Sequence, residues 1–159
     1  MSVGYLKSLP LPDSVAGVKA LFPDDSACAV VVETIRYNDH FTCEHCGDTQ
    51  EPYRFEQRPF VLRCRKCKQD NRLLKGSVAE NTKTPLHLWF LAAFILACSP
   101  NVSAKGIQRA LGLTRYETAH VMVRKIKASL AGLGAPETLS VFDVAERVFH
   151  KDADAENPA

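Results

Sequence analysis

The chain has 159 residues, with 20 Lys and Arg against 18 Asp and Glu, and 46% of its residues are hydrophobic. This length fits one domain or two small ones, and the ordinary balance of apolar and charged residues excludes a globally disordered chain. The net charge of +2 conceals an uneven distribution, because residues 43–133 carry +8, residues 1–42 carry −2 and residues 134–159 carry −4. A basic centre between acidic ends indicates that the centre binds a polyanion.

The first segment, residues 1–40, is predicted to be a helical leader. Residues 1–12 contain two prolines and little pattern, so we expect a loose stretch there. Apolar residues recur at helical spacing over residues 15–21 and again over residues 27–35, which predicts two short helices. Pro23 separates them, and the run from Asp24 to Ser26 supplies an N-cap for the second.

The next segment, residues 41–78, contains four cysteines in two C-x2-C pairs, with 17 residues between the pairs. Each pair places two thiolates on one side of a tight turn. A hairpin through strand-like runs at 53–55, 60–62 and 73–74 brings the two turns together. The result is a tetrahedral site for one structural zinc ion, with no open position for water. The predicted ligands are Cys43, Cys46, Cys64 and Cys67.

A redox C-x-x-C pair and unrelated buried thiols are the alternatives to zinc, and two pairs at this spacing favour zinc over both. His45 lies inside the first pair but is expected at the surface. His40 is a substitute ligand only if one cysteine does not bind. Cys28 and Cys98 stand in apolar stretches, where we expect them to pack as small hydrophobic side chains.

Basic residues flank the second cysteine pair, and among them Arg65 and Lys66 are the predicted contacts to a nucleic-acid backbone. Five acidic residues lie close by in the sequence and partly neutralise this face. A solvated charged surface is therefore an equally good interpretation of the basic residues in this segment.

From residue 84 to residue 133 the apolar residues follow a helical period. Thr84 and Pro85 are predicted to begin a helix as its N-cap and first residue, and residues 86–98 are apolar except for His87. A helix that is apolar on all sides is buried on all sides, so this one is the predicted central strut. Its apolar run is too short for a bilayer, which needs about 20 residues, and we expect no membrane segment.

Two further helices follow, connected by a turn that contains Gly112. Ser103 is the predicted cap of the first, over residues 104–111, and Thr114 with Glu117 predicts a capping box at the start of the second. From Ala119 onward the second helix presents apolar residues at i, i+3, i+4, i+7 and i+11. Two helices joined in this way form a helix-turn-helix, whose second helix enters the major groove of DNA.

The outward residues of this helix pair are candidates for DNA contact. Arg115 is the first choice for a guanine base, and Tyr116 and His120 share one face of the helix. Lys105 and Arg109 on the first helix are placed to clamp the backbone. The remaining predicted phosphate contacts are Arg124, Lys125 and Lys127. The alternative is a plain three-helix bundle with a solvated face, and the excess of six basic residues over one acidic residue in 84–133 argues against it.

Four stretches together resemble the N-terminal half of a bacterial family of insertion-sequence transposases. They are FPDDSACAVVVETIRYNDHFTCEHCG, YRFEQRPFVLRCRKC, GSVAENTKTPLHLWFLAAFILA and SAKGIQRALGLTRYETAHVMVRKIKASL. In that family a zinc ribbon and a helix-turn-helix precede a DDE catalytic domain. The resemblance implies that the four cysteines bind zinc. It also implies that residues 113–127 form the helix that recognises the ends of the element.

The same resemblance exposes a departure from the family. A two-metal catalytic site needs several converging carboxylates, whereas only residues 134–159 follow the helical segment here. These residues predict a short helix over 139–149 and a disordered acidic tail over 152–159. Asp143 is at most a relic of the first catalytic aspartate. We therefore expect no enzymatic activity.

Taken together, the sequence predicts an α+β fold in which a small zinc β-ribbon at residues 41–78 precedes a helix-turn-helix bundle at residues 84–133. The predicted function is that of a zinc-containing DNA-binding protein acting as a transcription regulator in the cytoplasm, at the nucleoid. The alternatives are a protein-interaction adaptor and the recognition subunit of a transposase whose catalytic domain is on another chain. Double-stranded DNA is the expected partner, and a homodimer or a protein partner is left open.

Overall fold

A computed structural model describes residues 2–150 of the chain. Within that range the protein has seven α-helices and one three-stranded antiparallel sheet, so the predicted α+β class is confirmed. Three helices precede the sheet: α1 (Val3–Ser8), α2 (Val15–Leu21) and α3 (Asp25–Tyr37). The strands are β1 (Tyr53–Phe55), β2 (Arg58–Arg63) and β3 (Asp70–Arg72). Four helices follow: α4 (Leu86–Cys98), α5 (Ala104–Leu111), α6 (Tyr116–Leu130) and α7 (Val141–Phe149).

Residues 2–12 are more ordered than the sequence predicts. Helix α1 begins after Ser2, whose hydroxyl accepts a hydrogen bond from the amide of Tyr5 at 3.1 Å. Leu6 is fully buried, and α1 packs against α7, which lies at the other end of the described chain. The prediction of a loose stretch over residues 1–12 is therefore wrong for α1. The physical reason is tertiary contact with α7 and the residues before it, because the carbonyl of Leu9 accepts from the amide of Val141 at 2.8 Å and Leu9 and Leu11 pack against the core.

Helices α2 and α3 confirm the prediction of two short helices separated at Pro23. Asp24 is the N-cap of α3, and its carboxylate accepts a hydrogen bond from the amide of Ala27 at 2.9 Å. An acidic cap satisfies a free amide and also lies favourably at the positive end of the helix dipole. Helix α3 then packs its buried face against α4, α7 and β2, so it connects the helical part to the sheet.

Helix α4 is the buried centre of the protein, as predicted. It packs against five other helices, α2, α3, α5, α6 and α7. Phe90 stacks on Phe149 with ring centroids 4.4 Å apart, and Phe22 packs edge-on against Phe90 at 4.9 Å. Buried side chains from Leu6 to Phe149 form one apolar cluster that runs across all four predicted segments. The predicted domain boundaries stay a prediction.

Two predicted helix starts differ from the structure. Pro85 is the N-cap of α4 and not its first residue, and the hydroxyl of Thr82 instead organises this turn by accepting from the Trp89 indole at 3.0 Å. Helix α6 has Arg115 as its N-cap with no side-chain cap, so the capping box predicted at Thr114 and Glu117 is wrong. A capping box is present at α7, where Ser140 and Asp143 hydrogen-bond each other's backbone amides.

The sheet is a ribbon with the strand order β1-β2-β3. Arg54 pairs with Leu62 across the first ladder, and Leu62 pairs with Asn71 across the second. Strand β1 matches its prediction, whereas β3 ends before the predicted 73–74 run. Leu73 follows β3 directly and is only 1% exposed, so its side chain belongs to the core.

Within residues 2–150 no helix is long and apolar enough to cross a membrane. The predicted disordered tail, 152–159, lies outside the described residues.

Candidate metal centre and basic surfaces

The two cysteine pairs form matching turns. In each turn the first cysteine donates its amide proton to the carbonyl five residues later, at 2.9 Å from Cys43 and 3.0 Å from Cys64. Its own carbonyl accepts from the amide four residues later, at 2.9 and 3.0 Å. The residue after the second cysteine has a positive φ, 78° at Gly47 and 63° at Lys68. This geometry is that of two zinc knuckles, and in the second a lysine adopts the conformation that glycine adopts in the first.

The four predicted ligands come together at the end of the ribbon where residues 64–69 connect β2 to β3. All four cysteine sulfurs lie within 4.8 Å of one another. The Sγ atoms of Cys43 and Cys67 are 3.7 Å apart, and those of Cys46 and Cys64 are 3.5 Å apart. A tetrahedral zinc ion with bonds of about 2.3 Å separates its sulfurs by roughly 3.8 Å, so the donor set fits Zn²⁺. The zinc would hold the two knuckles together and leave no position for a reacting water.

Hydrogen bonds around the sulfur of Cys43 prepare it to carry negative charge. The amide of His45 points at Cys43 Sγ at 3.4 Å, and the amide of Lys66 points at Cys64 Sγ at 3.3 Å. Burial raises the pKa of the Cys43 thiol, but the hydrogen bonds from backbone amides and from Asn71 outweigh it and lower the pKa to about 6. A thiol that loses its proton at neutral pH is ready to bind a metal.

Asn71 is a functional residue that the sequence reasoning missed. Its side chain is fully buried in β3, its amide nitrogen lies 3.6 Å from Cys43 Sγ, and its carbonyl oxygen accepts from the amide of Glu44 at 2.9 Å. Asn71 thereby supports the first knuckle from the opposite strand. The sequence signal was weak, because Asn71 lies between Asp70 and Arg72 and only the fold brings its side chain to the first cysteine pair.

The other histidines and cysteines lie where they were predicted. The ring of His45 points away from the sulfurs, with Nε2 3.1 Å from the carbonyl of Asp70, and His40 is exposed and outside the cluster. Cys28 is fully buried, and burial raises the pKa of its thiol. Cys98 contacts the carbonyl of Pro12 at 3.6 Å. Both of these cysteines pack within the helical part of the protein.

Most basic residues of the ribbon are bound to carboxylates. Arg63 and Arg58 share Asp70, with the Nε of Arg63 at 2.7 Å from its carboxylate. Three more cations pair within the ribbon or with its neighbours: Arg54 with Glu33 and Glu51, Arg72 with Glu80, and Lys75 with Glu44. Arg65 and Lys66, the two predicted phosphate contacts, form no ion pair within residues 2–150 and are exposed. They therefore remain available to an anionic ligand.

Helices α5 and α6 are joined by the short connection 112–115. Ser103 caps α5 by accepting from the amide of Gly106 at 3.1 Å, and Gly112 ends α5 with a φ of 69°. Ile107 is buried on the inner side of α5, and Met122 and Ile126 are buried on the inner side of α6. The inward face predicted for α6 is thus confirmed, and the opposite face is left to solvent.

The exposed side of α6 carries the predicted contacts in two groups. Tyr116, His120, Arg124 and Lys127 follow one stripe at spacings of four, four and three residues, and all four are exposed. The rings of Tyr116 and His120 lie nearly parallel with centroids 6.0 Å apart. Arg115 and the partly buried Lys125 instead line a neighbouring groove of about 450 Å³ that residues 78–84 close on the other side.

The cations of this helix pair differ from those of the ribbon. Within the described part of the chain, no ion pair is formed by the five exposed cations of α5, the connection and α6. They are Lys105, Arg109, Arg115, Arg124 and Lys127. Glu117 is the single acidic residue of the segment 84–133. The face is therefore electropositive, with five cations unpaired within residues 2–150 and the one exposed carboxylate of Glu117.

One of the comparisons with known proteins finds a relationship. Residues 23–70 match the family model described as the transposase zinc-ribbon domain, of the IS1595 type. The matched range contains all four cysteines, the ribbon up to the first residue of β3, and helix α3. This part of the chain is therefore related to insertion-sequence transposases. No curated protein and no solved structure gives a match.

Helix α3 is structurally part of the matched domain. The guanidinium of Arg36, in the last turn of α3, donates to the carbonyls of Leu73 and Lys75, the latter at 2.9 Å. Glu33 of the same helix binds Arg54 of β1. The predicted boundary between a leader and a ribbon thus falls between two elements that hold each other in place.

Proposed function

We propose that the chain is a zinc-containing DNA-binding protein derived from a transposase, and that α6 lies in the major groove of duplex DNA as the second helix of a helix-turn-helix. The observation that carries this proposal is the excess of exposed cations, unpaired within residues 2–150, on α5, the connection and α6 over the single carboxylate of Glu117. Surface charges that serve only solubility are usually interspersed with charges of the opposite sign. A strongly positive face in a chain that also carries a transposase-type zinc ribbon supports a polyanionic partner.

The side chains near the start of α6 suit base contacts, and the cations farther along it suit contacts with phosphates. Arg115 at the N-terminal end has the planar fork that reads guanine O6 and N7. Tyr116 and His120 present two adjacent rings to neighbouring base edges. Phosphate oxygens are the expected partners of the remaining cations, which are Lys105, Arg109, Arg124, Lys125 and Lys127.

The start of α6 offers a further contact for a phosphate. No side chain caps this helix, so its first-turn amides keep their hydrogen-bonding capacity. The positive end of the helix dipole lies at the same place and favours an anion. The missing capping box therefore fits a helix whose N-terminus approaches DNA.

We further propose that the chain recognises DNA without cutting it, and that it regulates transcription. Asp143, the one residue considered as a catalytic remnant, is bound to the amide of Ser140 at 2.8 Å and caps α7. A second candidate function is recognition of element ends for a catalytic subunit on another chain, which the transposase-type zinc ribbon favours. A location at the nucleoid and a homodimer or protein partner remain predictions.

Binding to duplex DNA tests the leading proposal. The zinc-loaded full chain is incubated with a random duplex pool at low salt, and bound sequences are selected and measured by gel shift. We expect an enriched motif and binding that weakens steeply as salt rises. Arg115→Ala should lose about 1–3 kcal/mol of discrimination at one base position while it keeps nonspecific binding.

The control for this experiment is Lys19→Ala, because Lys19 is an exposed cation on α2, far along the chain from the proposed face. This variant should bind the selected motif as the unchanged protein does. If the zinc-loaded protein shows no duplex binding at low salt, the proposed function is wrong. Metal-dependent cleavage of the bound duplex by this chain alone would contradict the proposal that it does not cut DNA.

A further inference from the structure

The ring of an exposed tyrosine on the ribbon contacts two basic side chains. The guanidinium of Arg65 lies over the ring of Tyr53, 4.1 Å from its centroid, and the ammonium of Lys68 lies 5.2 Å from the same centroid. Tyr53 is 37% exposed, and both cations are exposed as well. Aromatic rings attract cations through the negative charge of their faces, so the ring of Tyr53 holds both positive charges close to itself.

The positions of both cations are also set by the backbone. The Nε of Arg65 donates to the carbonyl of Glu51 at 2.6 Å, which leaves the terminal nitrogens of the guanidinium directed away from that bond. Lys68 follows the last zinc ligand in a left-handed conformation with a φ of 63°. The zinc knuckle therefore determines where the lysine leaves the backbone, and Tyr53 determines where its ammonium rests.

No carboxylate neutralises this pair within residues 2–150. The carboxylate of Glu51, the residue whose carbonyl Arg65 contacts, is bound by Arg54. The other arginines of the ribbon are occupied by Asp70, Glu33 and Glu80. Lys66 lies between Arg65 and Lys68 in the sequence and is exposed without an ion pair. The second knuckle thus concentrates the ribbon's uncompensated positive charge in one place.

We propose that Arg65 and Lys68, held on the ring of Tyr53, form a clamp for backbone phosphates of duplex DNA, separate from the α6 face. The proposal rests on the proposed function for the identity of the ligand. Phosphates fit because the terminal nitrogens of Arg65 and the ammonium of Lys68 are charged donors, and charged donors form the strongest hydrogen bonds with phosphate oxygens. Stacking of a base on Tyr53 is disfavoured because the guanidinium of Arg65 already covers the ring. Tyr53 is accordingly a positioning residue.

The test measures salt dependence with the zinc-loaded full chain and a duplex that contains its selected motif. Affinity is measured by fluorescence anisotropy between about 50 and about 300 mM salt, where the slope of log affinity against log salt reports the phosphate contacts at about 0.9 for each. We expect the double variant Arg65→Ala with Lys68→Ala to lower the magnitude of the slope by about 1–2. The base preference should be unchanged, because phosphate contacts carry no sequence information.

Tyr53 itself is tested by a conservative pair. Tyr53→Leu should weaken binding by roughly 3- to 10-fold, because both cations lose the ring that holds them. Tyr53→Phe keeps the ring and should bind as the unchanged protein does, which a loss of general ribbon structure would not explain. Zinc content and the thermal unfolding midpoint are measured for each variant, and Lys19→Ala is the control for removal of an exposed cation.

The outcomes separate this proposal from the proposed function. If the Arg65 and Lys68 double variant has the salt slope and affinity of Lys19→Ala while Arg115→Ala still loses base preference, the clamp is wrong and the α6 proposal stands. If Tyr53→Leu and Tyr53→Phe bind equally well, the positioning role of Tyr53 is wrong. If the unchanged protein does not bind duplex DNA, both proposals are wrong.

Discussion

The zinc ribbon and the α5–α6 pair are both rich in basic residues, but they use them differently. In the ribbon, Arg54, Arg58, Arg63 and Arg72 bind carboxylates of the same strands or of neighbouring elements. On α5, the connection and α6, five exposed cations form no ion pair within residues 2–150. The ribbon's charge is therefore largely structural, apart from the cluster at its second knuckle. The helical face has its charge available for a partner.

The two regions also differ in what holds them together. The ribbon has three short strands, and the few apolar side chains that it buries completely include Leu62 and Leu73. Helices α4 and α6 bury whole faces in the central cluster that contains Phe90. A small ribbon has little apolar surface to bury, so its stability depends on the metal, whereas the helices depend on packing. The predictions below test this difference and the difference in charge.

Loss of the zinc ligands should cause the largest loss of stability among these variants, and the unfolding should be confined to the ribbon. Cys64→Ser, or removal of zinc with a chelator, is expected to unfold the knuckles, because structural zinc sites contribute on the order of 10 kcal/mol. Hydrogen exchange should show lost protection in β1–β3 and retained protection in α4 and α6. Metal analysis should find one zinc per chain, and protein purified without chelator that contains no zinc would contradict the metal centre.

Truncation of the core aromatic should destabilise the helical part next most strongly. Phe90→Ala removes a ring that stacks on Phe149 at 4.4 Å and is completely buried. We expect a loss of about 3–5 kcal/mol in the free energy of unfolding, measured by chemical denaturation. Zinc content should not change, because the ring lies outside the ribbon. Tyr5→Ala, at a site that is 50% exposed, is the control, and equal losses in both variants would contradict the central role of α4.

Removing one unpaired cation should weaken DNA binding in a uniform way. Lys127→Ala is expected to reduce affinity for all duplex sequences alike and to lower the magnitude of the salt slope by about 0.9, which corresponds to one phosphate contact. Binding titrations at several salt concentrations with two unrelated duplexes measure both quantities. A loss restricted to one sequence would place Lys127 at a base and not at the backbone.

Removing a paired cation should have the smallest effect. Arg54→Ala breaks contacts with Glu33 and Glu51 at the ribbon surface, and such exposed pairs contribute less than about 1 kcal/mol. We expect unchanged DNA affinity and an unchanged salt slope in the titrations used for Lys127→Ala. A change in affinity and salt slope as large as that of Lys127→Ala would contradict the inference that the paired cations of the ribbon do not contact DNA.

Much of the local structure could be predicted from the sequence because its causes are local. The two C-x2-C pairs specify the zinc knuckles, and the apolar run 86–98 specifies the buried helix α4. Strand β1 and the break at Pro23 are confirmed for the same reason. The predictions that fail concern segments whose structure depends on residues distant in the sequence. Helix α1 packs against the distant α7, and Arg115 begins α6 without the cap that Thr114 was predicted to supply.

The sequence by itself determined the type of metal site, the buried helix α4 and the excess of basic residues in the middle of the chain. Only the tertiary structure decided which of those basic residues are neutralised, because ion pairs such as Arg54 with Glu33 join residues that are 21 positions apart. It also brought Asn71 to a zinc ligand and placed Arg65 and Lys68 on Tyr53. Charge along a chain is additive, but the electrostatic field at a surface depends on which charges the fold brings within a few ångströms of each other.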